Sequence, residues 1–240
     1  MSSKEAKVEY KIKGEKMGYY IDLKFISIDD YKEILKSADM LPSRMILKND
    51  IDHIFSIINQ QKVESVDELQ RALKNINKLQ DFSKKSGIQE DYLKILIREI
   101  NSNRQSPNKF NKFPGISENV VLRLKNIGIN NTFQLFDKIL TPQSRNKISS
   151  QIGISGNEIL ELTKLTDLSR IKWVNHTFAY VLLEAGYDTA EKVADADYKE
   201  LYEKVMKLNE KREIYKGHIG LHDMKLCVEA AKDVSLEIEY

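Results

Sequence analysis

The chain has 240 residues, 41% hydrophobic and 31% charged, with a formal net charge of +2. That balance excludes an intrinsically disordered polypeptide, and no stretch approaches the roughly 18 consecutive apolar residues of a membrane-spanning helix. A single cysteine excludes an intrachain disulfide; with a charged N-terminus that carries no apolar leader segment, it points to a cytoplasmic protein with no membrane association.

Charge is unevenly placed. Residues 106–165 hold 8 Lys/Arg against 4 Asp/Glu, whereas residues 166–240 hold 11 against 15. A surface for a polyanion is expected in the middle third, and an acidic surface suited to a protein partner in the last third.

In chain order, residues 1–16 are charged and read as a flexible extension, with Met17 as an alternative start. Residues 19–25 alternate in part between apolar and polar and read as a short strand. Residues 234–240 alternate in the same way, so a small terminal β-pair is expected between them. Ser27, with an acid at Asp30, caps a helix running to about Ala38. Pro42 suits the first turn of the next helix, where its missing N–H costs nothing.

Helical spacing then dominates. Ile51, Ile54, Phe55 and Ile58 fall on one helix face, as do Leu93, Leu96, Ile97 and Ile100. Val120, Leu124 and Ile127 make a shorter stripe. Phe178, Val181, Leu182 and Ala185 repeat it, and so do Met224, Cys227, Val228 and Ala231. The polar run from Ser102 to Asn111 reads as a linker. It separates an N-terminal helical hairpin domain (17–105) from a C-terminal domain (106–240).

Two turn types recur. In the first, a helix ends on glycine, one Ile follows, and a polar residue opens the next helix: Gly87-Ile88-Gln89, Gly115-Ile116-Ser117 and Gly153-Ile154-Ser155. Trp173-Val174-Asn175 is a fourth copy without its glycine. In the second, Lys62-Val63-Glu64-Ser65 aligns with Gly128-Ile129-Asn130-Asn131 and with Gly186-Tyr187-Asp188-Thr189. There a helix stops, an apolar residue plugs the turn, and Ser or Thr caps a short helix. Paired helices of this kind cannot bury their apolar faces alone and are expected to stack into a continuous core. The expected fold is all-α, a tandem array of short helical hairpins.

The Gly-Ile-Ser turn is fully explained by helix capping. The same geometry also aims amide N–H groups outward at a helix N-terminus, a seat for phosphate. Phe113-Pro114-Gly115-Ile116-Ser117 resembles the helix-hairpin-helix signature, apolar-Pro-Gly-apolar-Gly, with Ser117 replacing the second glycine. The resemblance implies DNA-backbone binding through the amides at Gly115 and Ser117. Lys112, Arg123 and Lys125 supply positive charge nearby, and Gly87 with Lys84 and Lys85 is a second candidate. Most of residues 18–240, and most specifically residues 165–205, resemble an uncharacterised bacterial family of tandem helix-hairpin-helix domains, a resemblance that implies an all-helical repeat fold and no established activity. Trp173 in a glycine position would either block a phosphate or stack on an unpaired base.

No catalytic constellation is present, so no enzyme and no cofactor is expected. Asp167 reads as a cap for the helix after it. His218, His222 and Cys227 have metal-like spacing, but Gly220 breaks the helix face and Cys227 falls on an apolar stripe, so no metal site is expected. Two functions are expected in competition. One is a sequence-nonspecific, non-enzymatic nucleic-acid-binding protein; the other is a helical scaffold for a protein partner.

Overall fold

The computed structural model describes residues 18–104 and 106–240. The expectations placed on residues 1–16 and Met17, and Gln105 of the linker, lie outside them. Every named element among the described residues is helical. The first half holds α1 (Ile28–Ser37), α2 (Ile51–Gln60), α3 (Val66–Ala72), α4 (Ile76–Ser86) and α5 (Glu90–Ser102). The second holds α6 (Glu118–Asn126), α7 (Thr132–Phe136), α8 (Pro142–Ile152), α9 (Gly156–Leu168), α10 (His176–Glu184), α11 (Ala190–Ala194), α12 (Tyr198–Arg212) and α13 (Leu221–Ala231). Short 3-10 turns form at Leu23–Phe25, Pro42–Lys48 and Phe110–Lys112.

Helix starts follow side-chain chemistry. Ser27 accepts from the Asp30 amide, Asn75 from that of Lys78, and Ser155 from that of Glu158, each satisfying an orphan donor of a first turn. Pro42 opens its 3-10 turn. The apolar stripes face inward and form two clusters. One runs from Leu23 to Ile100 and includes Phe55, Ile58, Leu93 and Leu96; the other runs from Phe110 to Ala231 and includes Leu124, Leu162, Val181 and Val228. Within the second cluster α9 packs on α7, α8 and α10, and α13 packs on α11 and α12.

The expected terminal β-pair does not form, and residues 19–25 and 234–240 carry no strand. The Asp22 carboxylate accepts from the Lys24 amide and winds Leu23–Phe25 into a 3-10 turn with Leu23 buried. Tyr19 is drawn into the core, where its hydroxyl meets that of Thr132 at 2.6 Å. The two segments still meet, through side chains. The Gly18 amide donates to Glu237 at 2.8 Å, and the Arg170 guanidinium joins the Gly18 carbonyl to the Ser235 hydroxyl.

Both halves use one small backbone clamp. Ile28 N–H donates to Glu64 O and Val66 N–H to Ile26 O; Phe110 N–H donates to Asn130 O and Thr132 N–H to Asn108 O. Each clamp ties an incoming segment to the start of a short helix. The cap of α7 is Asn131, not the neighbouring Thr132. Thr132 is fully buried, and its hydroxyl is engaged by Tyr19 and by the Asn108 amide. At the third aligned position, the Ala190 amide donates to the Asp167 carboxylate at 2.8 Å. Asp167 therefore serves α11, not the helix immediately after it, whose cap is Asn175.

The aligned turns share a left-handed backbone: φ is 59° at Lys62, 80° at Gly128 and 89° at Gly186. Gly128 and Gly186 also share their bonding. Ile129 N–H returns to Leu124 O and Tyr187 N–H to Leu182 O, while the two glycine amides donate to Lys125 O and Leu183 O.

Candidate nucleic-acid interface

The glycine junctions differ in what their amides do. At Gly87, the C-cap of α4, the glycine amide donates to Ser83 O at 2.8 Å and the Ile88 amide to the Ser86 hydroxyl at 3.2 Å. Lys84 and Lys85 are exposed in the last turn of α4, where cations complement the carbonyl end of the helix dipole. At Gly153 the turn closes on itself. Ile154 N–H donates to Ser149 O, Ser155 N–H donates to Glu158 Oε2 at 2.7 Å, and the Glu158 amide returns to Ser155 Oγ. Those bonds hold the Glu158 carboxyl below its ordinary range.

The Gly115 junction is built otherwise. Phe110–Lys112 is a 3-10 turn, so this glycine follows no α-helix. Its φ of 82° is one that an L side chain rarely adopts, and a Cβ would lie 3.1 Å from the Tyr180 hydroxyl of α10. Gly115 and Ser117 are exposed. Among the described residues neither of their amides donates a hydrogen bond. The Ser117 hydroxyl accepts from Val120 N–H at 3.3 Å and caps α6.

The flanking charges fall out differently from their sequence spacing. Lys112 is exposed and close enough to His176 that burial and the Lys112 charge together lower the imidazole below its ordinary 6.5. Arg123 is committed elsewhere: its Nη1 donates to Ile152 O at 2.7 Å and Gly153 O at 3.2 Å, and its Nε donates to Asn119 at 3.1 Å. Lys125 lies in the last turn of α6, about 12 Å along the axis from Ser117 at ~1.5 Å per residue. The structure thus brings Lys112, Gly115 and Ser117 together and leaves Lys125, Gly87, Lys84 and Lys85 apart.

Three residues outside the expected set border the turn: His176, Tyr180 and Arg212. The His176 ring meets Phe113 edge-on at 6.3 Å between centroids. Arg212 sits 6.0 Å over the Tyr180 ring and pairs with Glu184. Nothing local in the sequence connects α12 to this turn; only tertiary packing does.

The fourth junction is its neighbour. Trp173 has φ 69°, matching the glycines, although a left-handed backbone costs an L side chain roughly 1–2 kcal/mol. Asn175 accepts from Phe178 N–H as Ser117 does from Val120 N–H. Asn108 braces this junction: its amide nitrogen donates to Ser169 Oγ and Val174 O, and its side-chain carbonyl accepts from His176 N–H at 3.1 Å. His218 and His222 do not converge with Cys227. Cys227 is buried in the core, and among the described residues no three His, Cys, Asp or Glu side chains gather as a metal site. No helix among the described residues is long and apolar enough to cross a membrane.

Neither a curated protein nor a solved structure matches the chain. One family model does, described as Domain of unknown function (DUF4332), over residues 114–234, a span that opens at the Gly115 turn and extends past α13. That match takes in half of the sequence, and the protein belongs to this family, Domain of unknown function (DUF4332).

Proposed function

We propose that the protein is a non-enzymatic nucleic-acid-binding protein that grips phosphates through the Gly115 turn, acting as a helix-hairpin-helix contact, without reading base sequence. One observation carries this reading: the exposed Gly115 and Ser117 amides have no internal acceptor, at the N-terminus of α6 and beside exposed Lys112. An amide pair at a helix N-terminus with a nearby cation suits a phosphate oxygen. Glu118 is exposed at the first position of α6 and opposes a polyanion, so the expected Kd is weak, on the order of 10⁻⁵ M at physiological salt.

The matching backbone at Gly115 and Trp173, and at Gly128 and Gly186, supports reading residues 108–140 and 166–198 as two copies of one hairpin unit.

Fluorescence anisotropy with a labelled oligonucleotide across a salt series tests the proposal. Affinity should fall steeply with salt and vary little with sequence, and K112A should flatten the log–log slope by about one. Ser117 has φ −69°, a value proline adopts, so S117P removes its amide N–H while S117A removes only the hydroxyl. S117P should weaken binding beyond S117A. Absence of binding at low salt would overturn the reading and leave the protein-scaffold function in its place.

A further inference from the structure

We propose that Trp173 is a stacking residue for an unpaired base, so that the preferred ligand is single-stranded nucleic acid. The proposal rests on the phosphate-gripping reading of the Gly115 turn and names the ligand class. Three observations lead to it.

The first is the residue itself. Trp173 is the one tryptophan of the chain, 39% exposed, and it sits on a left-handed backbone where the other Gly-Ile-type junctions carry glycine. A bulky side chain held in such a conformation at a surface turn is what strained functional positions look like.

The second is how the indole is held. Lys172 Nζ lies 4.5 Å from the indole centroid, a cation–π contact. That ammonium is fixed in turn by Glu99 Oε1 at 2.5 Å, from the end of α5. Glu99 is itself buried and paired with Arg44 at 3.3 Å. The ring is therefore held through Lys172 by an ion network anchored on the buried Glu99. A fixed aromatic ring loses less freedom than a mobile one when a base stacks on it.

The third is position. His176, three residues after Trp173, packs on Phe113, and Tyr180 of the same helix lies against Gly115, so the helix that opens at the Trp173 turn packs on the Gly115 turn. A strand whose phosphate sits on the Gly115 and Ser117 amides would present a neighbouring base towards the indole. In a duplex that base is stacked and paired, and its face is not available.

Because Trp173 is the sole tryptophan, intrinsic fluorescence reports this contact without ambiguity. The full chain is titrated with oligo(dT) and with a duplex of equal length, and anisotropy of labelled forms of the same DNAs measures binding independently. Quenching of the indole by oligo(dT), with tighter binding of oligo(dT) than of duplex, is expected. W173G should lower oligo(dT) affinity by roughly tenfold, leave duplex affinity unchanged and not lower Tm; W173F should recover part of the loss. Binding of both DNAs with no change in indole emission, or an unchanged oligo(dT) affinity in W173G, overturns this proposal and leaves the phosphate grip standing. Failure of the wild-type chain to bind either DNA overturns both.

Discussion

Arg123 occupies the space that a side chain on Gly153 would need. An ideal Cβ there would lie 2.6 Å from Arg123 Nη1, the same nitrogen that donates to the Ile152 carbonyl at 2.7 Å. The last carbonyls of α8 have no partner within their own helix, and a guanidinium reaching across from α6 supplies one. Arg123 thus joins α6 to the end of α8, and its positive charge is engaged by helix-end carbonyls. R123A should cost about 1 kcal/mol, a fall in Tm of roughly 2–4 °C, with the salt slope of nucleic-acid binding unchanged. A flattened slope with unaltered Tm would assign Arg123 to the phosphate surface instead.

Asp167 carries more weight. Its carboxylate, at the end of α9, accepts from Ala190 N–H at 2.8 Å and from the Tyr240 hydroxyl at 3.0 Å, and pairs with Arg170 at 3.1 Å. Both ion-pair partners are buried, with side-chain exposures of 6% and 2%. Removing the charge from one partner leaves the other uncompensated. D167N keeps the shape and an acceptor, so its cost isolates the charge: about 3 kcal/mol by chemical denaturation is expected. A loss under about 1 kcal/mol would mean that the hydrogen bonds alone hold this corner.

These two residues mark what the sequence made legible and what it did not. Turn chemistry is local, so the left-handed positions at Gly87, Gly153 and Gly186 and the caps at Ser27 and Ser155 could be read from neighbours in the chain. The alignment of Lys62 with Gly128 and Gly186 follows from the same local code. The terminal β-pair failed because alternation over seven residues says nothing about a carboxylate at Asp22 that coils the chain first. Arg123 sits within a turn or two of Gly115 in sequence, yet its side chain answers to α8, nearly thirty residues on. His176, Tyr180 and Arg212 border the candidate site for the same reason, since packing of α10 and α12 brings them there.

His176 gives that site a pH signature. Burial first, and the Lys112 charge second, hold its imidazole below 6.5 in the folded chain. The unfolded chain therefore binds more protons in the window from 6.5 down to the folded value. The contribution of His176 to stability is complete above 6.5 and is lost as pH falls through that window. A bound phosphate would offset the Lys112 charge, raise the imidazole pKa and take up a proton, so affinity should increase on acidification through the same range. NMR titration of the His176 ring checks each step: K112A should move its pKa up towards 6.5, and saturating oligonucleotide should move it further. A pKa insensitive to both would separate His176 from the phosphate surface.

Cys227 supplies a clock for opening of the helical array. It lies on the buried face of α13, where burial pushes its thiol up to about 12, so almost no thiolate exists near neutral pH and reagents cannot reach it. Modification by a thiol reagent under native conditions should be far slower than for an unfolded cysteine, and its rate should track global stability. D167N should therefore accelerate labelling by the factor its stability loss dictates, while K112A should leave the rate unchanged. Rapid labelling of the wild-type chain, or equal rates in wild type and D167N, would show that α13 detaches locally and that the C-terminal helices form a separate unit of lower stability.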